Sequence, residues 1–173
     1  MLATGLKPLT FLFADDGVIP NNPSLPLLIY PKAFDLAGAD DPAAAIEKTF
    51  EKNGWGDCWR NGVYPYVHYH SGIHETLAVA RGRARLRFGG NHGEEIDIEA
   101  GDAAILPAGT GHQCLWASSE FLIVGAYPPT GTYDLILASV SEHETSVKTI
   151  AEVPLPDSDP VFGKDGPLLR IWR

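Results

Sequence analysis

The chain of 173 residues is 45% hydrophobic and 20% charged, which suits one globular domain with a sizeable core. Its formal charge of −9 gives a surface that repels nucleic acid and anionic membrane, so neither is an expected partner. No apolar run reaches membrane-spanning length, the N-terminus lacks the pattern of a signal peptide, and Cys58 and Cys114 make no disulfide framework, so a cytoplasmic protein with reduced thiols is expected.

In chain order, apolar runs at 9–14 and 26–30 flank a Pro/Asn-rich turn and predict an N-terminal strand pair. Asp41-Pro42 then starts a helix, because Asp41 can cap and proline at the first helical position costs no hydrogen bond. Ala43, Ile46 and Phe50 form its apolar stripe, and Asn53-Gly54 closes it. Trp55, Trp59 and Arg60 follow; they could form a lid over a barrel mouth or plug the barrel end. From Gly62 to Tyr127 the pattern is short strands separated by glycine turns.

One hairpin in that stretch fixes its own register. Arg83, Arg85 and Arg87 alternate with Ala84, Leu86 and Phe88; beyond the turn at 89–93, Glu95, Asp97 and Glu99 alternate with Ile96 and Ile98. Placing Arg87 opposite Glu95, Arg85 opposite Asp97 and Arg83 opposite Glu99 also stacks Leu86 on Ile96 and Ala84 on Ile98. This alternation predicts a charge-matched outer face and an apolar inner one, so an anion-binding role for the arginines is the weaker reading. A second helix is predicted over about residues 142–152, capped by Ser141 with Glu144 and stopped by Pro154. The run Leu168-Leu-Arg-Ile-Trp172 reads as a last strand. The expected organisation is a single domain over 1–173: N-terminal strands and helix to 61, barrel over 62–127, then a helix and closing strand over 128–173.

The chemistry concentrates in two blocks, Gly62 to Gly82 and Gly101 to His112. His68 and His70 are two apart, so on an extended strand both leave the same face. With Glu75 and His112 they make a three-His, one-Glu set able to hold Fe, Mn, Ni or Zn with coordination positions left open. A metal-free polar cavity is the plainer alternative, but a buried Glu75 without a partner would cost several kcal/mol or take up a proton. His74 adjoins Glu75 and should point to the opposite face; it could replace His70 as a ligand if the Ser71-Gly72 turn bends, and is expected outside the ligand set. His92 and His143 are expected on the surface. Tyr66, Leu77, Val79, Cys114 and Trp116 share parity with the ligands and should line the pocket. Tyr66 is the candidate catalytic acid or hydrogen-bond donor.

The spacing resembles the cupin superfamily, whose motifs read G-x5-H-x-H-x4-E-x6-G and G-x5-P-x-G-x2-H-x3-N. Gly62, His68, His70, Glu75 and Gly82 fit the first, and Gly101, Pro107, Gly109 and His112 fit the second, with Trp116 in place of its closing Asn. Gly17-Val-Ile-Pro-Asn-Asn, Asn53-Gly-Trp-Gly, Gly125-Ala-Tyr-Pro-Pro and Asp159-Pro-Val-Phe-Gly-Lys-Asp-Gly extend the resemblance to the bacterial YjlB-like cupins. The resemblance implies an all-β double-stranded β-helix, a jelly-roll barrel, with an N-terminal strand extension, two peripheral helices and a homodimer. It implies a metal-dependent enzyme acting on a small organic molecule, with dioxygenase, isomerase and decarboxylase chemistries all found among similar folds. The alternatives are a non-catalytic small-molecule or metal-binding module and a metal-free epimerase-like cupin, the last disfavoured by the complete ligand set.

Overall fold

The computed structural model describes residues 5–173 and contains two antiparallel sheets that face each other, with helices outside. Strands β1 (Leu9–Phe11) and β2 (Leu27–Tyr30) form the expected N-terminal pair, with Leu9 opposite Ile29. Helix α1 (Pro42–Lys52) leads into β3 (Gly56–Asn61), β4 (His68–Tyr69), β5 (Glu75–Arg81), β6 (Arg83–Phe88) and β7 (Glu94–Glu99). β8 (Ala103–Leu106), β9 (His112–Ala117), β10 (Leu122–Tyr127) and the short β11 (Ile136–Leu137) complete the sheets, before helices α2 (Val140–Glu152) and α3 (Leu168–Ile171). One sheet runs β1-β2-β8-β5-β10-β3 and the other β11-β4-β9-β6-β7. This is the double-stranded β-helix that the motifs imply.

The central strands of the six-stranded sheet, β2, β8, β5 and β10, are buried on both faces, which explains their nearly unbroken apolar sequences. Leu27, Ile29, Leu77, Val79 and Ile123 point inward and meet Ala84, Leu86, Phe88 and Ile98 of the opposing sheet. Their neighbours Leu28, Tyr30, Ala78, Ala80 and Val124 point outward and pack under Ala43, Ile46 and Phe50 of α1. Glu75 shares the inward parity of Leu77 and Val79, and His74 the outward parity. Helix α1 forms as its sequence dictates: the Asp41 side chain accepts from Ala44 N–H at 3.1 Å, and Asn53 ends the helix. No helix among the described residues is long and apolar enough to cross a membrane.

The β6–β7 hairpin has the predicted register throughout, with Ala84, Leu86 and Ile98 buried. Arg85 meets Asp97 and Arg87 meets Glu95, each at 2.7 Å. The third charge pair differs: Glu99 turns to Lys32 at 2.8 Å, and Arg83 lies over the Trp116 ring at 5.7 Å.

Three other local expectations are corrected. Helix α2 is capped by Ser139, not Ser141, because the Ser139 side chain accepts from Ser141 N–H and the helix starts at Val140. Residues 168–171 form one helical turn rather than a closing strand. Pro167 sits at φ −60° and ψ −32°, so the chain enters already helical, and the buried Asp159 carboxylate accepts from Leu168 N–H. His143, expected on the surface, is half-buried against Asp15 at 2.7 Å and ties α2 to the N-terminal loop.

Candidate metal centre

His68 on β4 and His112 on β9 are directly opposite each other in the five-stranded sheet. Glu75 begins β5 in the facing sheet, opposite Leu106. His70 lies in the turn between β4 and β5, and its carbonyl accepts from Gly109 N–H at 2.7 Å. Gly109 must be glycine: its φ is +94°, and a Cβ there would meet the Asn21 carbonyl oxygen at 2.5 Å. Asn21 and Asn22 hold the same turn from outside, Asn21 Oδ1 accepting from Gly111 N–H and Asn22 Nδ2 donating to the Ala108 carbonyl. The Asn-Asn pair thereby fixes the loop that delivers His112.

All four side chains are buried. The three histidines each offer a ring nitrogen, and these nitrogens lie within 4.8 Å of one another. Their tautomers follow from their neighbours. His68 Nδ1 faces the Tyr66 carbonyl at 3.0 Å, His112 Nδ1 the Thr110 carbonyl at 2.9 Å, and His70 Nδ1 the Asp134 carbonyl. A carbonyl only accepts, so each Nδ1 carries its hydrogen, and in the neutral ring Nε2 presents a lone pair. His70 Nε2 and His112 Nε2 both lie 3.4 Å from Glu75 Oε2, a buried oxygen with no hydrogen-bond partner.

The electrostatics follow. Burial, together with the neighbouring His112, pulls His68 down to about 3. Burial also opposes a charge on His70, but the Glu75 carboxylate outweighs it and lifts His70 to about 9. Burial opposes the Glu75 charge as well, yet His70 and His112 hold that carboxyl below the usual range. Glu75 thus favours a proton on His70, yet at 3.4 Å that ring leaves Oε2 without a hydrogen bond. A divalent cation would replace that proton and take up both the Nε2 lone pairs and the orphan carboxylate oxygen, so these residues fit such an ion.

A cavity of about 240 Å³ adjoins the centre. Leu77 and Leu135 line it with the rings of Trp59, Tyr64, Tyr127 and Tyr133. Trp59 belongs to the cavity wall: it is opposite Gly125 in the β3–β10 pair and its Nε1 donates to Tyr127 Oη at 3.0 Å. Trp55 is fully buried under the outer face and donates to the Ser158 carbonyl. Arg60 is held at the rim by Glu47 at 2.7 Å and Asp41 at 3.1 Å.

Of the expected pocket residues, only Leu77 lines the cavity. Tyr66 is exposed, its ring stacked on Tyr64 with centroids 5.0 Å apart and edge-on to His68 at 5.8 Å; its carbonyl faces His68 Nδ1, while its ring does not line the cavity. The segment 62–67 bends at Pro65 instead of extending, so the parity of His68 does not carry back to Tyr66. On β9 the register shifts between Cys114 and Trp116, whose partners are the consecutive residues Leu86 and Arg85. That bulge turns Trp116 to the outer face beside Arg83, while Cys114 packs into the inner core with Val79. His74 points away from the centre, as its parity requires: Nδ1 accepts from Ala108 N–H at 2.9 Å and Nε2 donates to the Pro154 carbonyl at 3.2 Å.

The sequence did not mark Tyr64, Tyr127, Tyr133 and Leu135 of the cavity wall, nor Asp134. Tyr127 lay in the stretch Gly125-Ala-Tyr-Pro-Pro, but nothing in that stretch marks a wall residue. Asp134 is 64 positions from His70, and no motif joins them.

A Cupin domain family model matches residues 60–124, the span that carries both blocks. The Uncharacterized protein YjlB of Bacillus subtilis (strain 168) is 42% identical over 163 residues, covering 94% of this chain and 95% of the relative. Among solved structures, a conserved double-stranded β-helix protein of Klebsiella pneumoniae is 17% identical over 80% of this chain and 90% of that one, with a TM-score of 0.39. Acireductone dioxygenase of Bacillus anthracis is 14% identical over 53% of this chain, with a TM-score of 0.37. The chain spans 64% of that dioxygenase, and 22% of an 11S globulin from Wrightia tinctoria that is 18% identical over 46% of this chain with a TM-score of 0.37. With its motifs, its two facing sheets and a relative matched nearly end to end, the chain belongs to the cupins and, within them, to the family of YjlB.

Proposed function

We propose that this cupin binds a divalent transition metal through His68, His70, Glu75 and His112, and that it is an enzyme acting on a small organic molecule in the adjoining cavity. The observation that carries the reading is Glu75 Oε2, buried without a hydrogen-bond partner and 3.4 Å from each of two ring nitrogens whose Nδ1 atoms are held by carbonyls. Nitrogen and carboxylate donors suit Fe, Mn, Ni or Zn. Such an ion would supply Lewis-acid polarisation of a coordinated oxygen and, for Fe or Mn, redox chemistry.

The protein's own residues define the remaining chemistry. Trp59 occupies a lone pair of Tyr127 Oη, so Tyr127 keeps its own proton to donate, with the Glu75 carboxylate among the acceptors near it. Arg60, the one arginine or lysine among the described lining residues, is engaged by Glu47 and Asp41. A dication beside Glu75 would leave one net positive charge, which favours a neutral or singly charged ligand over a dianion. The cavity is smaller than the roughly 300–1,000 Å³ of drug-sized sites, so the ligand is compact.

Elemental analysis of protein purified without an affinity tag is expected to find bound transition metal. Glu75→Gln and His112→Ala are expected to lose it while keeping the wild-type circular dichroism. Full metal occupancy in Glu75→Gln would remove Glu75 from the ligand set. Metal loss accompanied by a collapsed melting temperature, with no turnover by wild type under O2, would move the function to non-catalytic binding.

A further inference from the structure

The segment between β10 and α2 lies along the centre as a strap, with the Tyr133 ring 5.2 Å from His70. β11 adds to the free edge of β4, setting Leu137 opposite His68, so the strap supports the strand of one candidate ligand. Three residues earlier, Asp134 grips the turn that carries a second. Its carbonyl receives the His70 Nδ1 hydrogen. Its carboxylate accepts from Ser71 N–H at 2.7 Å, from Gly72 N–H at 3.3 Å and from the Ser71 hydroxyl. Thr132 N–H donates to the Gly72 carbonyl at 2.8 Å, and a Cβ on Gly72 would meet the Thr132 carbonyl oxygen at 2.4 Å. The two flanking residues, Tyr133 and Leu135, are cavity wall.

One short segment therefore aims His70, braces His68 and closes the cavity. We propose that Asp134 is a positioning residue that makes strap closure and metal binding a single coupled event. The proposal rests on the metal reading above. If the strap lifts, His70 loses the acceptor that keeps its Nε2 aimed at the centre, and β4 loses one of its two neighbours. Conversely, an ion that holds His70 in place holds the turn onto which Asp134 locks. Linkage makes the two effects equal: the factor by which closure strengthens metal binding is the factor by which metal favours closure.

The test uses the full chain with Co(II) as spectroscopic probe and Zn(II) for hydrogen exchange. Asp134→Ala keeps the carbonyl but frees it and the Ser71-Gly72 turn from each other, so it is expected to raise the Co(II) dissociation constant, up to the about 10–100-fold seen when support of a metal-bound histidine is lost. Asp134→Asn, which can still accept from Ser71 and Gly72 N–H, should recover most of that affinity. In wild type, Zn(II) should slow amide exchange in the peptide covering 131–137; in Asp134→Ala it should not. If the alanine variant does not fold, the wild-type exchange comparison decides by itself. Wild type that binds Co(II) with strap exchange unchanged by Zn(II), or Asp134→Ala with wild-type affinity, overturns the proposal and leaves the metal reading standing. Wild type that binds neither ion overturns both.

Discussion

His68 and His112 occupy one cross-strand position of the β4–β9 pair, with ring centroids 4.1 Å apart. A single register therefore presents two nitrogens to the same point, and a one-residue slip would turn one of them to the opposite face. Glu75 comes from the other sheet, so closing the barrel is what completes the centre.

On the metal reading proposed above, the proton that Glu75 favours on His70 competes with the ion and should make metal uptake dependent on pH. Glu75 raises His70 to about 9 against burial, so in the metal-free protein the pair stabilises the fold below about pH 6.5. That contribution is lost as pH rises through about 9. A metal must displace this proton, so affinity should climb by about tenfold per pH unit between about pH 6 and pH 9 and then level. Co(II) titrations across that range, with calorimetry in buffers of different ionisation enthalpy to count released protons, check both points. A flat affinity would exclude the proton as competitor.

His74 should behave in the opposite sense. Burial holds it down at about 4, and it accepts a hydrogen bond from Ala108 N–H, which requires a neutral ring. A histidine depressed below its unfolded value contributes stability that is present above about pH 6.5 and lost as pH falls through about 4. The contribution is on the order of 3 kcal/mol. Urea unfolding at about pH 7 and about pH 4.5 should show a smaller loss in His74→Asn, whose side chain does not titrate and still offers an acceptor. Equal losses in wild type and variant would acquit His74.

Gly125→Ala tests the cavity wall. A Cβ on Gly125 would lie 2.1 Å from the Trp59 ring, so the indole must move and pull its N–H from Tyr127. The expected cost is about 1–3 kcal/mol, with a changed tryptophan emission spectrum. An unaltered melting temperature and spectrum would mean that Trp59 is not held against β10.

The hairpin separates packing from charge. Leu86 is fully buried in the inner core, and Leu86→Ala should cost about 2–5 kcal/mol. Arg85→Ala breaks an exposed ion pair and should leave the melting temperature within experimental scatter. A large shift in the arginine variant would contradict the outward assignment of that face.

The sequence by itself determined whatever depends on local periodicity. Helix α1 follows from a cap, a proline and a stripe, and the β6–β7 register from two alternations that agree on one pairing. The ligand candidates could be named because His68, His70 and Glu75 lie within eight consecutive residues and His112 follows a glycine turn of known spacing. Parity failed wherever the backbone stopped alternating. The bend at Pro65 sent Tyr66 to the surface, and the β9 bulge turned Trp116 outward. The final apolar run became a helical turn because Pro167 and the Asp159 carboxylate, nine residues before Leu168, set its start. Only the tertiary structure decided that Tyr127 and Tyr133 wall the cavity and that Asp134 orients His70. Those contacts join segments more than 50 residues apart through single hydrogen bonds and ring edges, and such contacts leave no period in the chain.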